Sequence, residues 1–252
     1  MALLNPITEK LRSLRLHGML KAFEEQSDDT MFGDLSFNDR FALLVEREAL
    51  ERENGAMSSR LGKARLREQA EIEDVRVSSA RGVDKAMLRH LATGDWIRSK
   101  QNVIITGASG CGKTYIASAL ARRACILGFT SRYFRASSLG AELESARGDG
   151  RFQRLIRQLA KFDVLILDDF CLSAMTESEE KDLFELIEER YRNSAVVFTS
   201  QNPTKIWHGL MPNPAIADAI LDRIVHGAIR LELKGSSRRK TKEGADELDG
   251  EA

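Results

Sequence analysis

Read for apolar spacing alone, the chain divides near residue 100. Residues 7–26 carry Leu11, Leu14, Met19, Leu20 and Phe23 close to a helical stripe. Ser36 is placed as the N-cap of a second helix, with Phe37, Phe41, Leu44 and Val45 expected inward and the strongly charged stretch 46–53 following. A third helical stretch is expected at 58–67. No strand pattern precedes residue 100, so residues 1–70 are expected to form a small all-helical module. Between 71 and 100 the pattern weakens into a connecting segment with one short helix at 83–91, and Trp96 is expected to pack against the domain that follows.

From residue 102 short β-branched runs alternate with helical periodicity. The expected strands are 102–106, 130–134, 164–167, 195–199 and 228–233; the helices between them are 113–127, 137–146, 151–161, 177–192 and 213–226. Near-continuous apolar strands joined by helices predict an α/β fold with a five-stranded parallel sheet covered on both faces. The tail is divided: 234–242 holds five bases and no acid, and 243–252 holds five acids and no base. The acidic end is expected to be disordered.

Composition narrows the class without naming a chemistry. Charged residues make up 30% of the 252, with 38 basic and 38 acidic side chains, so a nucleic-acid partner needs local patches rather than net charge. No apolar run approaches the roughly 20 residues that cross a bilayer, and the start lacks the design of a secretory signal. No membrane partner is therefore expected, and the compartment expected is the cytoplasm. The three cysteines show no metal or disulfide spacing, and the four histidines are scattered without ligand spacing.

The chemistry begins at Gly107-Ala108-Ser109-Gly110-Cys111-Gly112-Lys113-Thr114, which reads G-x-x-x-x-G-K-T between an expected strand and an expected helix. Glycines let backbone N–H groups face phosphate oxygens, and the helix N-terminus favours the anion. Lys113 is expected to reach the β- and γ-phosphates of a nucleoside triphosphate and Thr114 to ligate Mg²⁺. Cys111 lies within the loop as a bystander. Some 55 residues later an apolar strand ends in Asp168-Asp169. Asp168 is expected on a strand adjacent to the loop's own, holding a metal-bound water, and Asp169 is expected to orient or deprotonate the water that attacks the γ-phosphate. A later strand ends in Thr199-Ser200-Gln201-Asn202; its polar end, placed between the two key strands, either hydrogen-bonds that water or the γ-phosphate, or merely caps a loop.

Together with Ala217-Asp218-Ala219-Ile220-Leu221-Asp222-Arg223, Gly235-Ser236-Ser237-Arg238-Arg239-Lys240 and the N-terminal Leu14-Arg15-Leu16-His17-Gly18-Met19, these residues resemble the AAA+ ATPases. Within them they are similar to the branch of helicase loaders (DnaC-like) and insertion-sequence transposition helpers (IstB), over nearly the whole chain. The resemblance implies a P-loop NTPase fold, Gln201 as a sensor where asparagine is frequent, and Asp169 where many relatives carry glutamate. It also implies Arg223 as an arginine finger reaching a neighbouring subunit's nucleotide, and Arg239, or its neighbour Arg238, near the phosphates. Arg223 is otherwise readable as a helical arginine paired with Asp218 or Asp222.

Two basic sets are candidates for duplex DNA: Arg60, Lys63, Arg65 and Arg67, and the helical set Arg151, Arg154, Arg157 and Lys161. Neither is interleaved with aromatics, which disfavours stacking on single strands, and either set is also readable as a solvated face. The expectation is a DNA-binding ATPase that assembles with itself in a ring or spiral on double-stranded DNA and helps a cognate transposase. A helicase loader and a nucleotide-locked DNA scaffold are the alternatives.

Overall fold

Residues that are apolar on both sides of a strand have to be covered on both sides, and here they are. The computed structural model describes residues 6–28, 32–75 and 82–234; Arg238, Arg239 and the acidic tail lie outside the described residues. The chain divides into two compact units, Met1–Ser59 and Arg60–Ala252.

In the first unit, α1 (Pro6–Ser13) and α2 (His17–Asp28) precede α3 (Phe37–Ala64), a single helix where the apolar pattern suggests two, and whose last residues belong to the second unit. Ser36 does cap it, its Oγ accepting from the Asp39 N–H at 3.2 Å. The inward face is not the expected one. Phe37 is 72% exposed and Phe41 and Val45 are 48% exposed, with the two phenylalanine rings stacked on each other at 6.0 Å. The face turned to α2 is instead built on the buried Glu48, whose carboxylate accepts from the Gly18 and Met19 N–H groups at 2.8 and 3.2 Å and caps α2. A polar anchor sets the rotation of α3 against α2, and the phenylalanines fall outside it.

In the second unit, α4 (Lys85–Ala92) and α5 (Asp95–Arg98) lead into β1 (Val103–Gly107), α6 (Lys113–Ile126), β2 (Ser131–Arg135), α7 (Ala136–Gly148), α8 (Phe152–Ala160), β3 (Val164–Asp168), α9 (Glu177–Arg190), β4 (Ala195–Ser200), α10 (Pro214–Val225) and β5 (Ile229–Leu233). Every strand pairing is parallel, in the order β2-β3-β4-β1-β5. The strand residues alternate between two cores. Val103, Ile105, Val164, Ile166 and Val197 join α6 and the segment before β1; Ile104, Leu165, Leu167, Val196 and Phe198 join α7 to α10. The weakly patterned stretch before β1 contributes Ile72, Val75, Val83 and Leu91 to the first core. Trp96 packs there as expected, 1% exposed, its indole N–H donating to the Leu91 carbonyl at 2.9 Å.

One topological expectation is corrected. The strand that ends in the two aspartates is not adjacent to the strand that enters the glycine loop, because β4 lies between them, where its polar end was expected. Parallel strands all end on the same edge, so Asp168 still arrives beside the loop, and β4 delivers Thr199 between the two. Among the described residues no helix is long and apolar enough to cross a membrane.

Candidate nucleotide-binding site

The loop from β1 to α6 requires glycine where it turns. Gly110 and Gly112 sit at φ +77° and +102°, in the left-handed region that side chains other than glycine adopt at a cost. The turn delivers Lys113, 6% exposed, whose ammonium donates to the Gly107 and Ala108 carbonyls at 2.8 Å each. It thus crosses the concave side of the loop. Cys111 packs at the loop's base against the first core.

Asp168, at the end of β3, has no exposed surface. A bare carboxylate is costly to bury, and this one is surrounded by donors. The Thr114 hydroxyl lies 2.9 and 3.1 Å from its two oxygens, the Tyr133 hydroxyl on β2 donates to Oδ2 at 2.6 Å, and the Thr199 hydroxyl on β4 donates to Oδ1. Arg67 stands 3.7 Å from Oδ2. Burial pushes the Tyr133 phenol well above its ordinary pKa, reinforced by its bond to Asp168 and opposed by Arg67, so it stays a donor at every physiological pH. The bond with Tyr133, then the Asp168 and Asp169 charges, raise the Arg67 guanidinium against its partial burial.

Asp169 follows in a left-handed backbone conformation, φ +57°, uncommon for a residue other than glycine. That turn separates the two acids. The Asp169 N–H donates to the Thr199 hydroxyl at 3.1 Å, so one buried hydroxyl ties both aspartates to β4. Oδ2 of Asp169 accepts from Arg135 Nε and Nη2 at 3.1 and 3.0 Å. Among the described residues its other oxygen has no hydrogen-bond partner.

Ser109, Gly110, Gly112, Lys113, Thr114, Asp169 and Gln201 converge on one cleft of about 360 Å³, which Arg67 and Arg135 also line. Lys113 and Asp168, the two residues on which the phosphate reading depends, are thus bridged through Thr114. The donor set fits Mg²⁺: a hydroxyl and a carboxylate are hard oxygen ligands, and this ion is ordinarily held by one or two protein oxygens with phosphate and water. No cluster of three or more His, Cys, Asp or Glu among the described residues offers a competing metal site.

Other expected residues are not in the cleft. Arg223, on α10, is at the opposite edge of the sheet, where its backbone carbonyl accepts from Asn102 at the start of β1 at 3.2 Å. Its guanidinium pairs with Glu188 at 2.7 Å and donates to the Ala219 carbonyl, and neither Asp218 nor Asp222 is its partner. The first basic set is divided. Arg60 donates to the Cys125 carbonyl at 2.8 Å, Lys63 and Arg65 are exposed, and Arg67 enters the cleft. The second set lies along α8, opposite the buried Phe152, Ile156 and Leu159. Arg151 pairs with Asp149, while Arg154, Arg157 and Lys161 are exposed and unpaired among the described residues.

Three residues of the site carry no motif, Arg67, Tyr133 and Arg135, and Thr199 was read only as part of the polar end of its strand, with no contact to the acids assigned to it. Thr199 stands two positions before Gln201, and in a strand the residue two back shares its face, so the polar end of β4 was the available signal. Tyr133 and Arg135 depend on β2 pairing with β3, where Arg135 is in register with Asp168. No local spacing reveals that pairing.

Comparison with known proteins accords with this geometry. The profile of the family described as IstB-like ATP binding protein matches residues 9–245. A relative from Sinorhizobium fredii, whose name describes an insertion sequence ATP-binding protein, is 43% identical over 94% of this chain and 97% of its own. Among solved structures, a DNA replication initiation factor superposes with a TM-score of 0.57 at 15% identity over 72% of this chain, which spans about half (54%) of that one. The DnaC helicase loader superposes with a TM-score of 0.53 at 17% identity over 66% of this chain and 97% of that one. At such identities the structures share the fold, a P-loop core of the AAA+ kind, whereas the profile and the sequence relative extend over nearly all of this chain. The chain belongs to the IstB-like ATP binding proteins.

Proposed function

We propose that this protein is an Mg²⁺-dependent ATPase that assembles with copies of itself on duplex DNA and assists the transposase of an insertion sequence. The observation that carries the reading is the convergence of Lys113, Thr114, Asp169 and Gln201 on one cleft beside the buried Asp168. The name of the Sinorhizobium fredii relative supplies the insertion-sequence context.

In this reading the loop N–H groups and the Lys113 ammonium bind the β- and γ-phosphates. Thr114 and Asp168 would hold Mg²⁺, which supplies charge neutralisation on the phosphates. Gln201 orients a water through its amide, and the unpartnered oxygen of Asp169 takes the proton as the water oxygen bonds to the γ-phosphorus. The bond to the β–γ bridging oxygen breaks, leaving ADP and phosphate. Arg223 faces away from its own cleft, which suits a cation that completes a neighbour's site and makes turnover depend on assembly. The exposed cations of α8 serve as a phosphate-tracking surface, and the N-terminal helical module serves partner or DNA binding.

The test has three arms. Lys113→Ala is expected to abolish ATP binding, and unchanged affinity there would remove the nucleotide site. Arg223→Ala is expected to bind ATP normally yet lose DNA-stimulated hydrolysis, and normal turnover would remove the finger. Replacing Arg154, Arg157 and Lys161 with alanine is expected to flatten the salt dependence of duplex binding by about three counterions. An unchanged slope would place DNA elsewhere.

A further inference from the structure

We propose that Arg67 is a γ-phosphate-contacting residue supplied in cis, which pairs with Asp168 until a triphosphate enters the cleft and then transfers to its terminal phosphate. The proposal rests on reading the cleft as the ATP site.

The cations lining the cleft are not equally committed. Lys113 donates to two loop carbonyls and is buried. Arg135 grips Asp169 through two nitrogens. Arg67 holds Asp168 across 3.7 Å, beyond hydrogen-bond range, with 42% of its side chain exposed, and its other partner is the neutral Tyr133 hydroxyl. With the carboxylate it makes a Coulomb pair rather than a bond, and a phosphate is a stronger acceptor than a neutral hydroxyl.

The backbone around Arg67 is fixed although the guanidinium is not. Helix α3 ends at the fully buried Ala64, Arg65 turns the chain at φ +50°, Leu66 packs on the first core and Ala70 is buried again. The side chain is therefore aimed from an anchored base into the cleft shared with Lys113 and Thr114. A triphosphate brings roughly one more negative charge than a diphosphate, and a divalent ion on Asp168 would repel a guanidinium beside it. Both changes drive Arg67 from the carboxylate to the phosphate. Guanidinium also matches phosphate with paired N–H donors, which an ammonium does not.

The experiment measures affinity for fluorescent ATP and ADP derivatives on the full chain, with Mg²⁺ and again in EDTA, for wild type, Arg67→Ala, Arg67→Lys and Lys113→Ala. Arg67→Ala is expected to weaken ATP by about tenfold or more while leaving ADP within about twofold, in both conditions, with lysine partly restoring the preference. Equal loss of both nucleotides would overturn the proposal, assigning Arg67 to the shape of the cleft. An effect confined to Mg²⁺ would also overturn it, since Arg67 would then act through Asp168 alone. Unchanged affinities would overturn it outright. Unaltered binding in Lys113→Ala marks the separate failure of the nucleotide site itself.

Discussion

Thr199→Val is the substitution that bears most directly on how the two acids are held. Valine keeps the shape of threonine, so no cavity opens; only the hydroxyl is lost. That hydroxyl has no exposed surface, donates to Asp168 Oδ1 and accepts from the Asp169 N–H at 3.1 Å. Losing a hydrogen bond to a charged group costs about 1.5–3 kcal/mol, and stranding a buried N–H costs about 1–3 kcal/mol. Neighbouring losses do not add fully, so about 3 kcal/mol is expected in the absence of nucleotide. With a urea m-value of about 2 kcal/mol/M, the midpoint falls by about 1.5 M. The assay is selective, because both tryptophans, Trp96 and Trp207, are buried in the second unit and their fluorescence follows its unfolding alone. Thr199→Ser retains the hydroxyl and is expected to recover most of the loss. A valine variant unfolding within about 0.3 M of wild type would refute the reasoning, since the midpoint is ΔG over m and such a shift leaves well under 1 kcal/mol for both contacts.

Other perturbations follow from the same contacts. Gly18→Ala is expected to cost about 1–3 kcal/mol in the helical unit, because a Cβ there would meet the Arg47 carbonyl oxygen at 2.5 Å and Glu48 Cα at 2.6 Å, both backbone; helical content and protease resistance of residues 1–59 unchanged from wild type would contradict it. Burial raises the Glu48 carboxyl, but the bonds from Arg52, Met19 and Gly18 outweigh it and hold the group below its ordinary 4.5. A depressed carboxyl stabilises above its unfolded value and loses that contribution as pH falls through the folded one. The melting gap between wild type and Glu48→Gln is thus expected to be full at neutral pH and to narrow progressively as the pH is taken below 4.5; a gap of constant size would show that charge is not its cause. Burial raises the Cys125 thiol and pushes Cys171 up to about 12, so at pH 8 a disulfide reagent is expected to modify the half-exposed Cys111 first, with ATP slowing it, and the other two only on unfolding. Fast labelling of Cys171 in folded protein would count against the buried turn after β3.

Much of the second unit was legible because it is written in periods and punctuation. Five apolar runs with helices between them place all five strands within a residue of where they lie, since a strand covered on both faces leaves few other readings. The glycine loop and the two acids were legible because phosphate chemistry fixes residue types and spacing. What periodicity does not carry is which strand neighbours which. The polar end of β4 was expected between the two key strands, but not which of its side chains would reach the acids, and the β2–β3 pairing hid Tyr133 and Arg135. The N-terminal helices were misread for another reason: the apolar positions Phe37, Phe41 and Val45 suggested an inward face, and a single buried glutamate decided the rotation instead.

Asp168 shows why the unread residues had to exist. A fully buried carboxylate at the end of β3 needs donors on every side, and the motif residue Thr114 supplies one hydroxyl, which has a single proton to give. Once that hydroxyl turns its lone pairs elsewhere, the carboxylate keeps its orientation only through partners on rigid strands. Tyr133 and Thr199 meet that need, one from each neighbouring strand. Arg67 is the exception among these partners: it comes from an irregular segment, is partly exposed and lies beyond bonding distance of the carboxylate. The two hydroxyls from β2 and β4 therefore fix where the carboxylate points, and that orientation does not depend on the guanidinium.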